Sequence, residues 1–176
     1  FYERHIEELI KTAKVIPMVN QIKICPGQSQ QDISEYCRKM GMIVEGYSPL
    51  GTGGIFSSDV MKELAKKYNR SIAQICIRWS LQEGYLPLPK SVTEERIIEN
   101  SKVFDFEIEE SDCKKISGLT GLDIKQARNP DEAPFERYIK EVRYATENAG
   151  LSATFGIMLP ENYEQDTDRR YPVIYM

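Results

Sequence analysis

The chain has 176 residues, of which 41% are hydrophobic and 28% charged, and its formal charge is −4. That length predicts one globular domain with enough chain to bury a core. The charges are intermixed, with no basic stripe, and no apolar run approaches the roughly 20 residues of a membrane helix, so nucleic-acid and membrane partners are not expected.

The first thirteen residues place Ile6, Leu9, Ile10 and Ala13 at i, i+3, i+4 and i+7. This spacing predicts an amphipathic helix, and its charged opening is unlike a signal peptide. Residues 15–22 form a short apolar run that reads as a strand. A second helix follows on Ile33, Tyr36, Cys37 and Met40, then a second strand over 42–46. Val60, Leu64 and Tyr68 give a narrower helical stripe, with Ser58 as its N-cap. Ile72, Ile75, Cys76 and Trp79 give another, capped by Ser71, and residues 85–88 a third strand. The three runs do not alternate strictly, so they are expected to be buried on both faces. Strands alternating with helices predict a parallel sheet with right-handed crossovers.

Cys25, Cys37, Cys76 and Cys113 are too scattered for paired metal-ligand spacing. Cys37 and Cys76 fall on apolar helix faces as small buried thiols, which suits a reducing, cytoplasmic compartment.

Each strand ends in a polar or turn-forming cluster: Asn20-Gln21, then Tyr47-Ser48-Pro49, then Lys90-Ser91. Parallel α/β folds build their sites at those strand ends. No Gly-x-Gly-x-x-Gly follows any strand, so an ordinary dinucleotide-binding sheet is not expected, and Gly51-Thr52-Gly53-Gly54 reads as a flexible loop. After Lys90 and Ser91, Thr93 can cap a new helix, with Arg96 in its first turn. Free N–H groups at a helix start and two cations then face one point, an arrangement that suits a phosphate; the plainer alternative is a solvated basic helix start. A β/α barrel fits these features best, because its phosphate site is often built from the last strand-end loops and a helix N-terminus.

Val19-Asn20-Gln21-Ile22, Gly46-Tyr47-Ser48-Pro49-Leu50-Gly51 and the stretch from Leu86 to Asn100 together resemble the C-terminal half of an aldo-keto reductase. The similarity runs over residues 1–121 and takes in Ala73-Gln74, Arg78-Trp79-Ser80-Leu81-Gln82 and Val103-Phe104-Asp105-Phe106. It implies the last three β/α units of a TIM (β/α)8 barrel and an NADP(H) cofactor. By resemblance, Tyr47 stacks on the nicotinamide and Gln21, beside Asn20, holds its carboxamide. Ser48, Leu50 and Thr52 line the pyrophosphate path. Lys90, Ser91 and Arg96, with Val92 between them, match the hold on the 2′-phosphate; Glu99 and Asn100 match the adenine contacts. Lys23 and Cys25 depart from the acid and histidine that many members carry there, and Cys25 is given no catalytic role.

The family's catalytic aspartate, tyrosine, lysine and histidine lie in the first half of the barrel and have no match here. The sole histidine, His5, sits in the opening helix. A whole barrel takes about 250 residues, so this chain is expected to be a portion of one, with no catalytic residue of its own. Beyond residue 122, residues 123–135 read as a polar join. Residues 136–176 read as a separate β segment, with a hairpin of Glu141-Val142-Arg143-Tyr144 and Thr154 to Pro160. Its ending, Arg170-Tyr171-Pro172-Val173, resembles the start of an α/β-hydrolase esterase. Three functions are therefore expected in competition: a partial NADP(H)-dependent reductase of small carbonyl compounds, the first part of an ester hydrolase joined to a reductase remnant, and a non-catalytic nucleotide-binding module.

Overall fold

The computed structural model describes residues 1–126, together with the backbone of residues 139–145 and 152–158. The chain divides into two compact units, Phe1–Arg128 and Asn129–Met176.

In the first unit the elements alternate along the chain. They are α1 (Glu3–Ile10), β1 (Val19–Lys23), α2 (Gln31–Lys39) and β2 (Ile43–Tyr47), then a 3-10 turn (Gly51–Ser57) and α3 (Asp59–Tyr68). After these come α4 (Ile72–Gln82), β3 (Leu86–Leu88), α5 (Glu94–Ser101) and α6 (Glu110–Ser117). The strands pair in parallel in the order β1-β2-β3, as their alternation with helices requires. Lys23, Tyr47 and Leu88 stand opposite one another, so the three strand ends meet at one edge.

Local chemistry sets the helix boundaries. Ser58 Oγ accepts from the Met61 amide at 3.4 Å, and Ser71 Oγ from the Gln74 amide at 3.2 Å. Gln74 Oε1 accepts in return from the Ser71 amide at 3.0 Å, closing a capping box. Asn69 ends α3 in a left-handed conformation that its short polar side chain tolerates. Thr93 precedes α5 as expected but its hydroxyl does not cap it; Ser91 Oγ accepts from the Thr93 amide instead, at 3.4 Å.

Three expectations are corrected here. The opening helix ends at Ile10, before Ala13, and Ile6 is its buried residue. The first strand starts at Val19 rather than at residue 15, because Pro17 has no N–H to give a ladder and restricts the residue before it. The strands are also not buried on both faces. Asn20, Ile22 and Val44 are buried, whereas Val19, Ile43, Leu86 and Leu88 are 40–54% exposed. Helices α2 and α4 contact β2 and β3, and on the other face the side chains of Val19, Ile43, Leu86 and Leu88 stay open.

The core joins Ile22, Val44, Ile55, Met61, Ile75, Trp79 and Ile116. Trp79 is fully buried beside Tyr85, and its Nε1 donates to Ser117 Oγ at 3.0 Å. All four cysteines are free and buried, including Cys37 and Cys76 on their helix faces. Burial pushes the Cys25 and Cys76 thiols up, which makes them poor nucleophiles.

In the second unit β4 (Ile139–Ala145) and β5 (Ser152–Met158) pair antiparallel, as the two stretches of sequence suggested. The esterase-like ending at residues 170–176 lies outside the described residues. Among the described residues no helix is long and apolar enough to cross a membrane.

Asp112, in the first turn of α6, is a buried carboxylate that ties α6 to α3. Lys115 and Lys67 donate to it at 2.7 Å each, as does the Tyr68 hydroxyl. Those bonds, Lys115 first, hold its carboxyl well below the usual carboxylate range. The folded-state value lies below the unfolded one of about 3.9, so this stabilisation is complete above that pH and is lost as pH falls below it. Asp112→Asn should cost about 1–3 kcal/mol at pH 7. Denaturant titrations should show the gap between the two proteins closing as pH drops below about 4, and a gap constant with pH would refute this account.

Candidate functional site

The edge where the strand ends meet opens into a cavity of about 740 Å³, within the range of small-molecule sites. Its walls come from four places: the exit of β2 with the 3-10 turn, the start of α4, the exit of β3, and α5. Eight of the residues expected from the sequence line it: Ser48, Leu50, Thr52, Lys90, Ser91, Arg96, Glu99 and Asn100.

The exit of β2 is shaped by backbone conformation. Ser48 and Thr52 both hold positive φ, at 54° and 55°. For a β-branched residue such as Thr52 this is a true outlier, kept only where the surroundings over-determine it. Its hydroxyl donates to the Gly51 carbonyl at 2.7 Å, and Ile55 anchors the turn in the core. The sequence suggested a flexible loop at residues 51–54; the structure has a 3-10 turn with its middle kinked.

The opposite wall carries the positive charge. Among the described residues, neither Lys90 nor Arg96 is ion-paired, although Glu99 shares the cavity wall. Both charges are therefore available to a ligand. Helix α5, which carries Arg96, Glu99 and Asn100, buries no residue of its own. Gln74 holds it instead: the buried amide donates to the carbonyls of Glu99 at 3.2 Å and Lys102 at 3.0 Å.

Four expected residues lie outside the lining. Gln21 and Tyr47 have the same parity on neighbouring strands and so share the open face of the sheet; Gln21 Nε2 donates to Glu45 Oε2 at 3.0 Å. Val92 is 86% exposed. Asn20 is corrected outright. Strand alternation turns it to the helix-covered face, where its amide donates to Cys37 Sγ at 3.3 Å and to the Phe1 carbonyl at 3.0 Å. It holds packing together and does not face the cavity.

Sequence reasoning missed Phe56, Pro49, Gly53, Ser71, Ala73 and Pro89 in the walls. Ser71 had a signal, since its cap position put it at the start of α4. Phe56 had none, because a lone aromatic in a glycine-rich stretch does not announce which way it turns. His5 accepts from the Tyr2 amide at 3.0 Å and stacks on the Tyr2 ring, which is a structural role. Among the described residues no group of three or more His, Cys, Asp or Glu side chains could hold a metal ion.

The Aldo/keto reductase family profile matches residues 1–120, and the chain belongs to that family. It is 42% identical over 135 residues to glyoxal reductase of Bacillus subtilis, covering 77% of this chain and 49% of that protein. It is 40% identical over 122 residues to 9,11-endoperoxide prostaglandin H2 reductase of Trypanosoma cruzi, covering 68% and 43%. The chain thus spans about half the length of the curated relatives it matches. Among solved structures, a Gox0644 mutant in complex with NADPH superposes with a TM-score of 0.71 at 34% identity, covering 77% of this chain and 50% of that one. A Bombyx mori aldo-keto reductase in complex with NADP gives 0.61 at 29% identity, covering 66% and 41%.

The Gln74 tether should be separable from the rest of the fold. Gln74→Leu nearly keeps the packing volume but strips partners from the Glu99 and Lys102 carbonyls and from the Ser71 amide at the start of α4, at a cost of about 1–3 kcal/mol. Amide exchange should quicken in α5 more than in α3, and equal protection of α5 in both proteins would show that something else holds it.

Proposed function

We propose that residues 1–122 are the nucleotide-binding part of an NADP(H)-dependent aldo-keto reductase, forming three β/α units of a (β/α)8 barrel. The observation that carries this reading is a pair of cations on the wall of the strand-end cavity, Lys90 and Arg96, that have no carboxylate partner among the described residues. Two charge-assisted bonds from them suit the 2′-phosphate that distinguishes NADP(H) from NAD(H). Ser91 adds a hydroxyl beside them. Glu99 and Asn100, one helical turn on, offer an acceptor and an amide for the adenine. Ser48, Leu50 and Thr52 form the wall along which the pyrophosphate would run.

Toward the reacting end, Tyr47 offers a flat ring and Gln21 a carboxamide partner on the same sheet face. A ring held on one side leaves its other side open, which orients a nicotinamide without taking part in bond-making. When bound, that group supplies the hydride for a carbonyl carbon. The open apolar face of the sheet, with Val19, Ile43, Leu86 and Leu88 exposed, supports the partial-barrel reading, since the inward side of such a sheet is a packed core in a closed barrel. Residues 123–135 and 136–176 are read as a join and a separate β segment, and the hairpin of β4 and β5 supports the latter.

The test is cofactor discrimination. Arg96→Ala should weaken NADPH binding by about 1.5–3 kcal/mol and NADH binding much less, measured by calorimetry. Equal losses for the two would reject the phosphate assignment.

Proton transfer is a separate matter. Within residues 1–121 the sequence supplies no match to the family's aspartate, tyrosine, lysine and histidine, and His5 is spent on the start of α1. The 176-residue chain by itself is therefore expected to bind NADPH without reducing simple aldehydes. Turnover that Tyr47→Ala abolishes would overturn that expectation.

A further inference from the structure

Residues 119–125 cross the strand-end edge of the sheet as a strap. Leu119 and Leu122 pack against the core and Ile124 is buried. Asp123, Ile124 and Lys125, the first residues of the stretch read as a join, lie against the first unit. The strap is seated where side chains are missing. A Cβ on Gly54 would stand 1.8 Å from the Asp123 carbonyl oxygen, and one on Gly27 2.5 Å from that of Leu119. On Gly51 it would meet the Ile124 side chain at 3.2 Å. Strap and 3-10 turn therefore touch backbone to backbone.

One charged residue fastens this arrangement. Lys23 ends β1 and is only 3% exposed. Its ammonium donates to the Lys125 carbonyl in the strap, and Gln30 Nε2 donates to its own carbonyl. Among the described residues no carboxylate pairs with it. A lysine is almost never buried without a paired charge, since taking an ammonium out of water is costly. The acceptor that offsets the cost here belongs to the strap.

We infer that Lys23 is a positioning residue for the nucleotide cavity: it latches residues 119–125 across the Gly51–Ser57 turn and so fixes the wall formed by Thr52, Gly53 and Phe56. The inference rests on the nucleotide reading above for what the wall holds, but not for the latch itself. Lys23 touches neither the cavity nor any reacting group, so it acts only through the strap. Thr52 and Gly53, in the middle of the turn, have non-helical conformations, and the strap meets Gly51 and Gly54 on either side of them.

The experiment compares the wild-type chain with Lys23→Met, Lys23→Arg and Gly54→Ala, reading amide exchange and NADPH affinity. Lys23→Met removes the donor. Gly54→Ala displaces the strap with Lys23 intact, and serves where Lys23→Met does not fold. Both should quicken exchange of the Gly51, Gly53 and Ser58 amides about tenfold, with α4 unchanged. Those amides donate to the carbonyls of Ser48, Leu50 and Ile55. NADPH binding should weaken about tenfold, as for a wall that is competent only part of the time. Lys23→Arg, which restores a donor, should recover both readouts. Unchanged exchange in the turn overturns the latch. A loosened turn that binds NADPH as tightly as wild type overturns the positioning role. A wild-type chain that binds no NADPH rejects the nucleotide reading instead, and exchange in the turn still decides whether the latch exists.

Discussion

Parallel pairing of three short strands governs everything else in the first unit. With Lys23, Tyr47 and Leu88 side by side, the chain leaves the sheet three times at one edge, and each exit must turn back toward a helix. Parallel strands demand such crossovers, so polar turn residues collect at that edge as a matter of connectivity. The same pairing divides the residues of each strand between two faces. Asn20 and Gln21 are neighbours in sequence, yet one is locked against Cys37 and the other reaches Glu45.

Support for the edge comes from groups that neither line the cavity nor resemble one another. Gln74 reaches from α4 to the far end of α5, whose own side chains contribute nothing to the core. Asp112 binds α6 to α3 through Lys67 and Tyr68, with Lys115 of its own helix as a third donor. Trp79 fills the space between sheet and helices and spends its one polar atom on Ser117. Each is a polar side chain whose bonds are satisfied in the interior, where an unmet partner would be costly.

Much of this was legible in the residues. The 3.6-residue spacing of Ile72, Ile75, Cys76 and Trp79 located α4, and Ser58 and Ser71 marked helix starts because a hydroxyl there meets an otherwise unpaired amide. The strand-end clusters lie at one edge of the sheet, and eight of the twelve residues expected there line one cavity. What stayed hidden has a common physical origin. Apolar composition reports that a strand can be buried, and not how many of its faces have a neighbour, so Val19, Ile43 and Leu86 misled. The positive φ of Ser48 and Thr52 is imposed by surroundings that no local pattern encodes. A lysine such as Lys23 reads as solvent-facing, since its buried acceptor lies about a hundred residues away in sequence.

The strained exit of β2 has a kinetic consequence. Ser48 and Thr52 hold conformations that cost free energy whether or not a ligand is present, so that wall is shaped before any encounter. A preorganised wall leaves little ordering for the incoming molecule to impose. On the nucleotide reading proposed above, capture of the phosphate would be simple docking, its rate set by the field of Lys90 and Arg96. Such steering weakens as added electrolyte shortens the Debye length. Ionic strength would therefore slow the arrival of a phosphorylated ligand far more than it hastens its departure.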